Sequence, residues 1–179
     1  MLFDKEYDDK LKNIVDHHNI LIVDDEESIL EAIKILLKDK FTIYLAKEFD
    51  EVKKIFDNHI IDVVILDLLL PKVPGEDILT WIKDKDPCCE VIMHSVVRKD
   101  LDTIVKCLKL GAYNYLPKPA DPENIDNMVQ NAYSKCILHR TYALLDEKLG
   151  KEWDKTKLNK FTDYLTNLYE TLIKIQSIL

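Results

Sequence analysis

Five positions carry side chains that together could do phosphoryl chemistry: the acidic pair Asp24-Asp25, then Asp67, Ser95 and Lys118. Three carboxylates gathered in one cleft repel one another and raise each other's pKa values. A divalent cation relieves that repulsion. Mg2+ suits such a site, because it takes hard oxygen ligands in an octahedron and keeps several of its waters. A hydroxyl and an ammonium beside the cation could then hold the oxygens of a phosphoryl group. The chemistry suggested is transfer of that group to a carboxylate, with Lys118 pairing with the phosphate and Ser95 donating a hydrogen bond to it. Taken singly, each residue also has a plain structural reading. Asp24-Asp25-Glu26 suits the positive start of a helix, Asp67 a turn after an apolar run, and Lys118 a solvated loop between Pro117 and Pro119.

What distinguishes the set is where the surrounding elements put it. Compact apolar runs at Ile20–Val23, Phe41–Leu45, Val63–Leu66, Val91–Met93 and Tyr113–Leu116 predict five strands. Between them, apolar residues recur at helical spacing: Ile29, Ile33 and Leu36; Phe49, Val52 and Ile55 within Glu48–Asn58; and Ile78, Leu79 and Ile82 after the Pro71–Gly75 loop. A helix over Leu101–Leu110 ends at Gly111, and another begins near Glu123. Strict strand–helix alternation with continuous apolar strands predicts an α/β, doubly wound, five-stranded parallel sheet covered by helices on both faces. Right-handed crossovers place every strand C-terminus on one edge, where such sheets carry their sites. Asp24-Asp25, Asp67, Ser95 and Lys118 follow strands one, three, four and five, so the five candidates converge on that edge.

Composition narrows the alternatives. The 179 residues include only three glycines, Gly75, Gly111 and Gly150, too widely spaced for a phosphate-cradling loop or a dinucleotide fingerprint. The net charge of -8 argues against general nucleic-acid or lipid-surface binding. From residue 123 on, eight basic residues balance eight acidic ones, so the excess acidity lies in the first 122 residues. The acidic, polar start is unlike a secretory signal, and no apolar run approaches the roughly 20 residues of a membrane helix. Cys88, Cys89, Cys107 and Cys136 show neither redox nor zinc spacing, nor do the five histidines, so reduced thiols in the cytoplasm are expected.

The stretches ILIVDDEESIL, VVILDLLLPKVPGEDIL, VIMHSVV and LGAYNYLPKP, between about residues 19 and 139, resemble the receiver domains of bacterial two-component response regulators. The resemblance implies the flavodoxin-like strand order 2-1-3-4-5, an order that receivers exemplify. It implies Asp67 as phospho-acceptor, receiving phosphate from a sensor histidine kinase or phosphotransfer protein, and Mg2+ held by Asp24, Asp25, Asp67 and the backbone carbonyl of Leu69. It implies Ser95 as the switch hydroxyl, Lys118 as the phosphate-pairing lysine, Tyr115 as an aromatic that turns inward when Ser95 moves, and a cis Lys118–Pro119 bond. The plain alternative for Tyr115 is a core tyrosine of an edge strand.

Four positions depart from the family pattern. Leu69 and Val97 stand two residues after the acceptor and the switch hydroxyl, where receivers tune hydrolysis. Two apolar residues would organise the attacking water poorly and slow the loss of phosphate, unless both simply pack at the rim or against a partner. His94 stands where an apolar residue is usual, as a source of pH sensitivity or a hydrogen-bonded strand-end histidine. Ala120 follows Pro119 where phenylalanine is common, which would loosen the output face.

The expected organisation is a polar lead over residues 1–18, a receiver over 19–139 and a helical C-terminal extension over 140–179. In the extension, Leu158, Phe161, Leu165, Leu168, Leu172, Ile175 and Leu179 follow an unbroken heptad seam. That seam suits either a coiled coil between chains or a helix folded back on its own receiver. A neutral tail without a basic face argues against direct DNA contact. The function expected is a phosphorylation-dependent switch of protein–protein association, as a homodimer through receiver helices or the C-terminal helix, and not an enzyme in the usual sense. The competing readings are an aspartate-nucleophile phosphatase, against which Leu69 stands where that chemistry wants a second acid, a phosphorylation-independent dimer scaffold, and the N-terminal fragment of a larger regulator.

Overall fold

The computed structural model of the protein describes residues 18–96 and 101–149, together with residues 9, 10, 12 and 14. Val97, most of the 1–18 lead and the whole heptad run from Leu158 lie outside the described residues. Among the described residues from 18 on, five strands, β1 (Asn19–Val23), β2 (Thr42–Ala46), β3 (Val63–Leu66), β4 (Glu90–Ser95) and β5 (Asn114–Pro117), alternate with five helices. The helices are α1 (Glu27–Leu37), α2 (Phe49–Asn58), α3 (Gly75–Lys85), α4 (Leu101–Lys109) and α5 (Pro122–Leu149). All strand pairs are parallel, and the sheet order is β2-β1-β3-β4-β5. This is the flavodoxin-like order that the family resemblance implies, on the doubly wound parallel sheet that the strand–helix alternation predicts.

Alternation along the strands divides the core. Leu21 and Val23 of β1, Val64 and Leu66 of β3, and Val91 and Met93 of β4 join one cluster with Val52, Ile78, Ile82 and Cys107, from α2, α3 and α4. Their neighbours Ile20, Ile22, Ile65 and Ile92 are equally buried and point to the opposite face. There the buried residues of α1 (Leu30, Ile33, Leu37) and of α5 (Ile125, Val129, Ala132) complete the sandwich. Strands buried on both faces explain why their sequences are continuously apolar rather than alternating.

The strands end in register where the candidate residues begin. Val23 pairs with Leu66, Leu66 with Met93, and Ser95 with Pro117, so Asp24, Asp67, Ser95 and Lys118 emerge along one edge. The chain divides into two compact units, Met1–Thr141 and Tyr142–Leu179. The first holds the sheet; the second holds the last turns of α5, described as helix through Leu149.

Candidate functional site

The acidic pair splits into two environments. Asp24 is only 2% exposed, whereas Asp25 is open to solvent. Asp24 does not cap α1 in the usual way: the helix has Glu26 at its N-cap with no side-chain cap bond, and Asp24 Oδ1 accepts the Glu26 backbone N–H at 3.0 Å. The Asp67 backbone N–H donates to the Val23 carbonyl at 2.9 Å, which anchors the loop after β3 beside the end of β1. Asp67 Oδ1 accepts the Leu69 N–H at 3.1 Å. Carboxylate oxygens of Asp24, Asp25 and Asp67 lie within 4.8 Å of one another.

Lys118 closes the cluster. Its ammonium donates to Asp24 Oδ2 at 2.5 Å and to Asp67 Oδ2 at 2.6 Å. At 5% exposure it is a buried lysine, not the solvated loop residue that it suggests when taken alone. Its backbone N–H donates to the Ser95 carbonyl at 2.9 Å, and the Lys118–Pro119 bond is cis, as the family resemblance implied.

Burial and pairing compete across this group. Burial pushes the Asp24 carboxyl above its ordinary value, and the hydrogen bond from Lys118 only partly offsets that. Burial presses Asp67 upward too. The hydrogen bonds of Lys118 and the Leu69 N–H, with the nearby Ser95 hydroxyl adding to them, outweigh it and hold Asp67 below the usual carboxylate range. Burial would lower the Lys118 ammonium, but its two carboxylate partners keep it above its ordinary value. Of the two buried carboxylates, Asp67 is thus the one whose surroundings favour the ionised form, the form in which a carboxylate is nucleophilic.

Ser95 is fully buried, and its Oγ has no hydrogen bond of good geometry, although it lies near enough to Asp67 to help lower that carboxyl. The Tyr115 hydroxyl donates to the Ser95 backbone carbonyl at 2.9 Å, so the half-buried tyrosine is already tied to the end of β4. Leu69 is 56% exposed beside the acceptor.

Two features escaped the sequence. Gly75 opens α3 so close to the acceptor loop that an added Cβ would stand 2.3 Å from the Asp67 carbonyl oxygen. The Gly75 N–H donates to the Leu68 carbonyl at 3.0 Å. The Pro74-Gly75 pair was legible as a loop, but not its packing on Asp67. His94 is the second: only 4% exposed, it has neither ring nitrogen hydrogen-bonded. The reading of His94 as a hydrogen-bonded strand-end histidine is therefore wrong, because the side chains that line its cavity are mostly apolar and the Lys118 ammonium is held by Asp24 and Asp67.

A parallel sheet with an acidic cluster and a buried lysine at its C-terminal edge defines the class as a receiver-type signalling switch. The match to the response regulator receiver domain covers residues 20–130, and the chain belongs to that family. Receivers of two-component systems are phosphorylated on an aspartate and act as switches rather than as enzymes in the usual sense. They generally bind Mg2+ at an acidic cluster, and the all-oxygen trio here fits that ion.

Among relatives, the chain is 33% identical to "Probable transcriptional regulator ycf27" of Cyanidium caldarium, over 87% of this chain and 68% of that protein. It is 27% identical to a cyclic di-GMP phosphodiesterase of Thermotoga maritima, over 86% of this chain but only 42% of that protein. Among solved structures, a response regulator receiver domain of Clostridium thermocellum is 35% identical, with a TM-score of 0.62, over 68% of this chain and 98% of the other. The beryllofluoride-activated NtrC4 receiver domain dimer is 30% identical, with a TM-score of 0.63, over 66% of this chain and 98% of the other. Among the described residues, no helix is long and apolar enough to cross a membrane.

Proposed function

We propose that Asp67 accepts the phosphoryl group, from a sensor histidine kinase or a phosphotransfer protein, with Asp24, Asp25, Asp67 and the Leu69 backbone carbonyl holding Mg2+. The observation that carries this reading is the Lys118 ammonium bridging Asp24 and Asp67. It supports Asp67 as the carboxylate held ionised and Lys118 as the cation at hand for phosphate. When bound, Mg2+ supplies charge neutralisation for the incoming phosphate. Asp67 provides the nucleophilic oxygen, Lys118 exchanges a carboxylate for a phosphoryl oxygen, and the buried Ser95 hydroxyl donates to another. That last move draws on the end of β4, to which Tyr115 is tied, and so makes Tyr115 the residue that reports the switch.

The exposed Leu69, with Val97, offers the attacking water no polar group, so the phosphorylated form is long-lived; decay within seconds in Mg2+ buffer would contradict this. The output is association between proteins, as a homodimer through receiver helices or the C-terminal helix of residues 140–179, with the receiver over residues 19–139. The dimeric state of the beryllofluoride-activated NtrC4 receiver supports this, as does the neutral charge from residue 123 on. We place the chain in the cytoplasm, with no direct contact to nucleic acid. The test is thermal unfolding with Mg2+ and beryllofluoride, a phosphoryl mimic. Both together should raise the midpoint of the natural chain and leave Asp67→Asn unmoved. An equal rise in both would overturn the assignment of Asp67.

A further inference from the structure

Two of the family departures, His94 and Ala120, line one cavity on the α1/α5 face of the sheet, beside the phosphoryl site. Its volume is about 490 Å³, within the roughly 300–1,000 Å³ typical of small-molecule pockets. The walls are Ile29, Ile33 and Leu36 of α1, Pro119 and Ala120 of the loop before α5, and Ile125 of α5. Against them stands one buried imidazole. Met93 belongs to the core of the opposite face, so strand alternation turns His94 toward α1 and α5.

Both ring nitrogens of His94 lack a hydrogen-bond partner, at 4% exposure. A buried polar group left unpaired is costly. Water that enters from the open side finds little to hold it, since a well-held water needs two to four polar partners. The other polar residues on the wall are Glu26, exposed, and Lys118, whose ammonium is held by Asp24 and Asp67. Burial, reinforced by the Lys118 charge, holds His94 down at about 4, so the imidazole is neutral and offers one donor and one acceptor. Among the described residues, the one charge on the wall without an ion pair is the Glu26 carboxylate, which stands at the solvent-exposed rim and leaves nothing there to hold an anion.

We propose that this cavity binds a small neutral molecule with an apolar body and a hydroxyl or amide that hydrogen-bonds His94. Ala120 provides the room for the body, and His94 selects the polar end. The cavity shares Lys118 with the phosphoryl site, but the proposal stands whether or not Asp67 is the acceptor.

The full chain tests this by NMR titration with 2-naphthol, and with naphthalene as the same body without its hydroxyl. Isoleucine methyl and histidine ring signals are followed. Saturable shifts are expected at Ile29, Ile33, Ile125 and the His94 ring, with 2-naphthol about fivefold to tenfold tighter than naphthalene. His94→Leu loses no hydrogen bond and keeps the fold; it should bind both probes alike. Ala120→Phe should fill the cavity and abolish both shifts while its thermal midpoint stays near that of the natural chain. No saturable shift at these groups, or 2-naphthol binding unchanged in both variants, would overturn the proposal. So would shifts that appear only on adding a phosphotransfer protein, which would assign the cavity to a partner's side chain.

Discussion

Lys118 decides the charge balance of the site. With it, Asp24 and Asp67 face a cation at 2.5 and 2.6 Å; without it, two buried carboxylates face each other. Removing one partner of a buried ionic group typically costs about 3–5 kcal/mol. Lys118→Met should therefore lose about that much stability in urea denaturation at neutral pH without Mg2+. Mg2+ should restore more stability to this variant than it adds to the natural chain, because the cation then meets two uncompensated carboxylates. An unchanged midpoint would contradict the pairing. His94 makes a second prediction. Its value falls from an ordinary 6.5 to about 4 in the fold, chiefly through burial, with Lys118 adding to the shift and Asp67 opposing it. Between those values the unfolded chain takes up a proton that the folded chain refuses, so stability is full above about pH 6.5 and is lost as pH falls. By pH 4 the loss attributable to His94 is about 3 kcal/mol. Urea midpoints measured across this range should fall less steeply in His94→Leu; identical slopes would contradict the buried neutral imidazole.

At the scale of elements, the start of α3 buttresses the acceptor. Gly75 leaves room for the Asp67 carbonyl, and an alanine there would push its Cβ against backbone that cannot swing aside. Gly75→Ala should cost about 1–3 kcal/mol. It should also slow labelling by a small phosphodonor, because relief of the clash shifts the acceptor's own peptide. Normal stability and labelling would show that the helix start does not position Asp67. The elements themselves were largely legible. Val63–Leu66 stands as the sequence drew it, since a strand buried on both faces leaves an unbroken apolar run. The second strand begins at Thr42 rather than Phe41, because the Phe41 N–H donates to the Leu37 carbonyl and closes the end of α1. Helix α5 begins at Pro122, one residue before Glu123, as proline suits a first helical turn. What periodicity could not carry was long-range pairing. Arg140 of α5 donates to Asp86 at 2.7 Å and to the Ile61 carbonyl at 2.8 Å, and its Nε lies 3.3 Å from Asp62. These contacts join positions far apart in the chain, and no spacing rule connects them. The edge location of Asp24, Asp67, Ser95 and Lys118 was legible because the strand ends mark it. The burial of Lys118 and the empty hydrogen-bonding capacity of His94 were not, since both depend on which helix covers which face.

For the whole molecule, charge divides the sequence into an acidic first part and a neutral stretch from residue 123 on. The whole excess of negative charge lies in the first 122 residues, where part of it forms the acidic cluster. The heptad seam from Leu158 to Leu179 presents apolar side chains every three or four residues, the pattern that two helices bury against each other. Light scattering of the full chain should give the mass of a dimer, and Leu165→Lys with Leu172→Lys should return it to a monomer. The same mass in both would remove the seam from the assembly. Phosphoryl acceptance by Asp67 is read out by intact mass spectrometry of the full chain after incubation with acetyl phosphate. One phosphate adduct is expected with Mg2+, none after chelation of the metal, and none in Asp67→Asn. No adduct on the natural chain, or an adduct that survives in Asp67→Asn, would contradict it.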